Sequence, residues 1–127
     1  PRSNGSSKRD FLFVKDVADL YCSIAENLSN NKSHYTGEIF NAGTNVEISV
    51  REVVEKIYGI LNNETGLKQI IDRFNKNNIA RGEINYQSMD YEKVYKFFGW
   101  KPKTNFEKGL KDTIEWYRLF LSSENSI

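Results

Sequence analysis

Apolar residues recur at helical spacing in four stretches of the chain, with extended or turning segments between them. Val17, Leu20, Tyr21, Ile24, Ala25 and Leu28 stand at i, i+3, i+4, i+7, i+8 and i+11, the stripe of a core-facing helix. Asp16 just before them is of a type that caps helix starts, and the polar run Ser29-Asn30-Asn31-Lys32-Ser33 ends the pattern. Val50, Val53, Val54, Ile57, Tyr58 and Leu61 repeat the stripe behind Ser49-Val50-Arg51-Glu52, which reads as a capping box. A shorter stripe, Tyr91, Val94, Tyr95 and Phe98, is opened by Asp90 and closed by Gly99 as a left-handed cap, and Pro102 stops continuation. Trp100 anchors the turn. Thr104 and Glu107 then read as another capping box for a last helix carrying Phe106, Leu110, Thr113, Ile114, Tyr117 and Leu121 on one side. A stripe that wide needs something to cover it.

The intervening segments are short. Pro1 to Lys8 is an extended lead and turn, and Phe11 to Val14 a short apolar strand or tight turn. Gly37-Glu38-Ile39-Phe40-Asn41-Ala42-Gly43 reads as a strand leaving through a turn, and Glu83 to Met89 alternates as a half-buried strand does. Asn62 to Ala80 carries the weakest pattern: Leu67, Ile70 and Ile71 fit a turn of helix or a strand, and Asn75-Lys76-Asn77-Asn78 fits a loop.

Composition narrows the classes. A chain of 127 residues fits one domain with a real core but is short for a two-domain enzyme. Lys plus Arg number 18 and Asp plus Glu 17, a net charge of +1 that gives no bulk attraction to nucleic acid or an anionic membrane. Lys101, Lys103, Lys108 and Lys111 gather locally, a pattern more often a solvated helix face than a binding patch. Cys22 has no partner for an internal disulfide, and with His34 as the only histidine no zinc-type cluster can form. Cys22 lies off the centre of its stripe, which predicts a partly buried thiol. No run is long enough to span a membrane, so the reading is a soluble, cytoplasmic protein.

Chemistry concentrates in Arg9-Asp10-Phe11-Leu12-Phe13-Val14-Lys15-Asp16. Arg9 follows the polar turn Ser3-Asn4-Gly5-Ser6-Ser7-Lys8, which predicts a guanidinium displayed from a loop edge. Its planar fork of donors matches two phosphate oxygens at once, as lysine cannot. A structural salt bridge to a carboxylate such as Asp10 or Asp16 is the competing reading. Asn41 is open to a ligand contact or to a hydrogen bond within its own turn.

At this point the ordered motifs resemble the extended short-chain dehydrogenases/reductases that act on nucleotide sugars. Carrying the resemblance are Arg2-Ser3-Asn4-Gly5, the Arg9 to Asp16 run, Gly37 to Gly43, and Gly82-Glu83-Ile84 with Gln87, Met89, Asp90 and Lys93. Gly99-Trp100-Lys101-Pro102, Glu107-Lys108-Gly109-Leu110 and Thr113-Ile114-Glu115-Trp116-Tyr117 complete the set. The first and fourth of these are most similar to CDP-glucose 4,6-dehydratases. The resemblance implies an α/β enzyme, α+β as an isolated fragment, of which residues 1–127 are the C-terminal nucleotide-sugar-binding portion. Residues 1–61 would include elements that pack on an N-terminal Rossmann domain absent here, and 62–127 a small substrate-binding subdomain. It also implies that Arg9 contacts the nucleotide diphosphate, with Arg2, Gln87, Asn41 and Arg81 as further substrate-binding candidates.

The family binds NAD through a glycine-rich turn and activates a tyrosine with a lysine four positions on, which lowers the phenol's pKa so that it can take a proton from the sugar. Neither motif occurs in these residues, so the resemblance implies that NAD is bound by the missing domain and that this portion alone carries no catalytic residue. The implied reaction oxidises the sugar at C4, eliminates water across C5 and C6 and returns the hydride. A 4-epimerase or reductase of the same family is the nearest alternative. A stand-alone module binding nucleic acid through Lys101 to Lys111 with Trp100 and Trp116 is the alternative of another class. The implied partners are a nucleotide sugar such as CDP-glucose and the Rossmann domain. An isolated portion would leave apolar surface that repacks or drives homo-oligomer formation.

Overall fold

The structure, a computed structural model, describes residues 1–30 and 37–124. Elements follow in the order β1 (Lys8–Asp10), α1 (Val14–Asn30), β2 (Glu47–Ser49), α2 (Val50–Ile60), α3 (Glu64–Asn75), β3 (Tyr86–Gln87), α4 (Glu92–Phe98) and α5 (Phe106–Glu124). The three strands form one sheet in the order β2-β1-β3, with β1 antiparallel to β2 and parallel to β3. His34 and the Asn31-Lys32-Ser33 end of the polar run lie outside the described residues.

The central strand is charged, which the hydrophobic pattern did not anticipate. Strand pairing falls on Lys8–Asp10, while behind it Phe11 and Phe13 leave the sheet and pack on α5 and Leu12 packs against the core of Leu20, Val94 and Trp100. Phe11 meets Phe106 edge-on with ring centroids 5.6 Å apart, and Phe13 lies over Gly109, where a Cβ would come within 3.1 Å of its ring. The apolar run therefore serves packing rather than the sheet, and of the strand or tight turn expected at Phe11 to Val14 the strand is not formed: it starts three residues earlier, and 11–13 lead the chain into α1.

Asp16 also has another job than the one expected. Helix α1 already begins at Val14, so Asp16 sits in its first turn, buried, and accepts from another part of the chain. The Lys103 and Thr104 amides reach its Oδ2 at 3.2 and 2.9 Å, the Thr104 hydroxyl reaches Oδ1 at 3.1 Å, and Trp100 Nε1 donates to its carbonyl at 3.0 Å. Thr104 is thus not a helix cap. Asn105 caps α5 instead, its Oδ1 accepting from the Lys108 amide at 2.9 Å. Around this clasp lies the core: Leu20, Val94 and Trp100 are buried, with Ile24, Phe40, Tyr91 and Phe98 packed against them.

Other local rules hold as the chain dictates. Ser49 and Glu52 form the reciprocal capping box on α2, and Gly99 ends α4 with φ 66°. Asp90 accepts from the Glu92 amide at 2.8 Å at the start of α4. Within Asn62 to Ala80, Leu67, Ile70 and Ile71 fall on helix α3, which Asn63 caps through the Gly66 amide at 2.8 Å and which runs through Asn75, and the expected loop follows from residue 76. Phe74 of α3 is buried against Gly5, whose φ of 74° and missing Cβ let the ring approach.

Three expectations fail for one reason, the lack of a neighbour to pair with or pack on. Residues 38–43 form no strand, and Ile39 stays 80% exposed, since none of the described strands pairs with them. The strand expected over Glu83 to Met89 shrinks to Tyr86–Gln87, the two residues that pair with Lys8 and Arg9. The stripe of α1 is covered only along Val17, Leu20 and Ile24, with Tyr21 69% exposed and Cys22 exposed rather than partly buried. Tyr117 and Leu121 of α5 are likewise half open. No helix among the described residues is long and apolar enough to cross a membrane.

Replacing Asp16 by alanine leaves two amides and a hydroxyl of a partly buried turn without their acceptor, an expected loss of about 1–3 kcal/mol measurable by urea unfolding. A second expectation concerns pH. Lys56 Nζ donates to Glu107 Oε1 at 2.8 Å, tying α2 to α5. That bond, reinforced by the lysine's charge, lowers the Glu107 pKa, and the same bond raises that of Lys56. A depressed carboxyl contributes stability that is present above its unfolded pKa and lost as the pH falls through its folded one. The raised lysine contributes below its unfolded pKa and loses its share at alkaline pH. Unfolding curves taken between about pH 5 and pH 3 are therefore expected to fall less steeply for E107Q than for the parent chain.

Candidate functional site

Arg9 occupies the middle of the central strand rather than a loop edge. Its Cα partners are Ile48 across the antiparallel ladder and Gln87 across the parallel one, so Arg9 and Gln87 share one face of the sheet. Lys8 and Tyr86, the neighbouring pair, take the other face, and the Lys8 ammonium sits 5.4 Å from the centre of the Tyr86 ring. Of the five candidate residues, register therefore brings together two, Arg9 and Gln87.

The salt bridge weighed for Arg9 goes to neither Asp10 nor Asp16. Its Nη1 donates to the Lys8 carbonyl at 2.8 Å, and its Nη2 lies 3.8 Å from Glu83 Oε1, with about a quarter of each side chain exposed. That leaves most of the guanidinium's five N–H donors uncommitted among the described residues. Glu83 itself is gripped by the leading loop. The Ser7 hydroxyl holds its carboxyl below the usual range, helped by the Ser3 hydroxyl, the Ala80 amide and the Arg9 charge. Ser7 Oγ and Glu83 Oε2 are both buried and have no closed hydrogen bond among the described residues.

Asp10, next in sequence, points its carboxylate into a web of donors. It accepts from the Thr44 amide at 2.9 Å, the Thr44 hydroxyl at 2.6 Å, the Asn45 amide at 3.3 Å and the Met89 amide at 3.2 Å. One side chain thus fastens the end of β1 to the turn after residue 43 and to the segment after β3. Gly43 is buried in the middle, and a Cβ there would collide with the Asp10 carboxylate and the Met89 carbonyl. Sequence reasoning missed both Asp10 and Glu83. The signal for Asp10 was its place beside Arg9 on a strand, where alternation turns one residue to each face.

The remaining candidates stand apart. Arg2 is exposed in the leading loop, Arg81 is exposed in the turn closed by the Glu83 amide on the Ala80 carbonyl at 3.1 Å, and Asn41 is exposed in the segment before Gly43. None of the three makes a hydrogen bond or ion pair among the described residues, so the turn bond considered for Asn41 is not formed.

A dinucleotide has no cradle on these elements. The turn from β1 to α1 is built from Phe11, Leu12 and Phe13 instead of glycines. The first amides of α2 are already taken: Val50 by the Ser7 carbonyl at 3.1 Å, Arg51 by the Gly5 carbonyl at 2.9 Å and Glu52 by the Ser49 hydroxyl at 3.1 Å. The Glu52 carboxylate, its own pKa lowered chiefly by Ser49, adds negative charge where a pyrophosphate would need positive. The residues present do not fit NAD. No group of three His, Cys, Asp or Glu among the described residues is placed to hold a metal ion.

Residues 2–113 match the model of the GDP-mannose 4,6 dehydratase family. The chain belongs to that family. It is a mixed α/β member of a group of nucleotide-sugar dehydratases and epimerases, and so part of an enzyme family. Human dTDP-D-glucose 4,6-dehydratase is 31% identical over 118 residues, spanning 91% of this chain and 31% of the human protein. The Bacillus anthracis dTDP-glucose 4,6-dehydratase, solved in complex with NAD, superposes with a TM-score of 0.63 at 30% identity over 90% of this chain and 32% of that one. The Thermotoga maritima UDP-glucose 4-epimerase with UDP-glucose gives a TM-score of 0.64 at 25% identity over 95% of this chain and 35% of that one. The chain thus spans about a third of the length of the dehydratases it matches.

Within this member of the dehydratase family, Gly43→Ala is expected to cost about 1–3 kcal/mol by forcing Asp10 and Met89 apart. Faster hydrogen exchange at the Thr44 and Met89 amides, at unchanged exchange in α2, is the measurement that checks it.

Proposed function

We propose that this chain is the nucleotide-sugar-binding portion of an NAD-dependent sugar-nucleotide 4,6-dehydratase, with Arg9 gripping the diphosphate. The observation that carries the reading is Arg9 itself, fixed on the central strand beside Gln87 with most of its donors unspent. Two phosphate oxygens accept from a guanidinium edge in a geometry that no other side chain reproduces. Gln87 offers an amide on the same face, and Arg2, Arg81 and Asn41 on mobile-length side chains or open segments are the further substrate contacts.

The remote grip has a mechanistic purpose. Binding energy gathered at the diphosphate positions the sugar without touching its reacting carbons, so it serves orientation. The cofactor and the proton-transferring residues then belong to the rest of the enzyme, for which a Rossmann domain is the proposed partner, with residues 1–61 carrying the elements that pack on it and 62–127 the smaller subdomain. The exposed apolar face of α1 supports that arrangement, and together with that of α5 it would equally support a homo-oligomer.

CDP-glucose is the substrate the Arg2-Ser3-Asn4-Gly5 and Gly82 to Asp90 runs favour, whereas the relatives named above act on dTDP-glucose or bind UDP-glucose. The epimerase likeness keeps a 4-epimerase as the second reading. The module of another class finds less support, since Trp100 is only 6% exposed and hydrogen-bonded to Asp16, and Lys103 and Lys108 are paired with Asp19 and Asp112.

The test is titration of CDP-glucose, dTDP-glucose and UDP-glucose into parent and Arg9→Gln chains, followed by the amide and side-chain resonances of Arg9 and Gln87. Loss of a charge-assisted bidentate contact is expected to weaken all three about tenfold or more, while the base that binds tightest to the parent identifies the nucleotide. Equal affinities of parent and variant would sink the reading.

A further inference from the structure

Resting on the diphosphate reading of Arg9, the geometry points to Glu83 as a latch: it holds the guanidinium of Arg9 parked against the strand, and an incoming diphosphate must draw the arginine off it. Arg9 is held from two sides, by the Lys8 carbonyl at 2.8 Å on Nη1 and by Glu83 at 3.8 Å from Nη2. The second distance is too long for a hydrogen bond, so Glu83 acts by charge and spends none of the arginine's donors. The two holds differ in kind. The carbonyl belongs to the preceding residue and travels with the strand, whereas Glu83 comes from the turn after residue 80, seventy-odd positions away in sequence.

Glu83 is a fixed point. Its Oε2 is buried, and its own amide closes the 80–83 turn on the Ala80 carbonyl at 3.1 Å. Gly82, with φ 77°, lets the chain make that turn. Arg9, in contrast, is a long side chain on a short strand, with about a quarter of its surface open to solvent. When the pair separates, the arginine moves and the carboxylate stays.

A resident carboxylate next to a diphosphate site lowers affinity in two ways: it competes for the cation, and it repels the ligand directly. Only the first of these passes through Arg9. The latch gives the site a cation that is charge-compensated while empty and released on filling, so anions carrying a single weak charge are too poor a bargain to displace Glu83, whereas a diphosphate is not. This makes Glu83 a positioning residue that selects for the doubly anionic end of the substrate.

The experiment is a double-mutant cycle on the full 127-residue chain, with dTDP as the probe and NMR of the Arg9 Nε–H as the readout. Glu83→Gln keeps the shape and the acceptor for Ser7 and removes the charge. It is expected to bind dTDP about three- to tenfold tighter than the parent, and this gain is expected to shrink in the Arg9→Gln background to the part that comes from direct repulsion. Without ligand, rotation of the Arg9 guanidinium about Cζ–Nε is expected to be faster in E83Q than in the parent. Unchanged or weaker binding by E83Q, an equal gain in both backgrounds, or unaltered Arg9 rotation each overturns the latch. Failure of the underlying reading looks different: Arg9→Gln alone then leaves dTDP binding as it was, or dTDP leaves the parent's Arg9 unmoved, and latch and diphosphate grip fall together.

Discussion

The carboxylate of Asp10 is the constraint on which the site depends. A strand of three residues has too few ladder bonds to hold its own position, and β1 is that short. What fixes it is the web of amide and hydroxyl donors from Thr44, Asn45 and Met89 that converge on one side chain at its end. Hydrogen bonds to a charged acceptor are among the stronger ones in proteins, and four donors on one carboxylate leave it little freedom. Arg9, one residue earlier, inherits the resulting precision. Its guanidinium has a defined origin because the neighbouring side chain is immobilised in the opposite direction.

A second carboxylate repeats the device at the far end of the core. Asp16 receives the 100–104 turn as Asp10 receives the 43–46 turn, and in each case an acidic side chain from the N-terminal part of the chain organises a loop far downstream. The two lie six positions apart in sequence, with Phe11 and Phe13 between them turned onto α5. The run from Arg9 to Asp16 is therefore less a strand or a helix start than a line of attachment points. Its charged positions collect loops and its apolar ones collect a helix.

This explains which parts of the fold could be read from the residues alone. Four of the five helices were legible because a stripe at 3.6-residue spacing is local information, and the α2 capping box and the Gly99 cap need only neighbours in sequence; α3 was not, its segment fitting helix or strand equally. The class of the fold and the importance of Arg9's segment were legible because several weak motifs came in order. What stayed hidden was long-range acceptor choice. Asp16 could have capped its own helix, and Thr104 could have capped α5, but each found a better partner in the other. The same holds for Arg9, whose counter-charge Glu83 opens a segment whose alternation suggested a strand and gave no sign of which cation it would meet. Short strands fared worst, since β2 and β3 exist only because β1 passes between them.

The two tryptophans end up in opposite surroundings, and that has a practical consequence. Trp100 is enclosed by the core and donates to a main-chain oxygen, while Trp116 is 56% exposed and stacked on Phe120 at 5.1 Å along an open stretch of α5. Their fluorescence separates accordingly into a blue, shielded emitter and a red one within reach of iodide. The first reports whether the chain is folded, and the second whether its open flank has acquired a cover, so a single emission spectrum distinguishes assembly from folding.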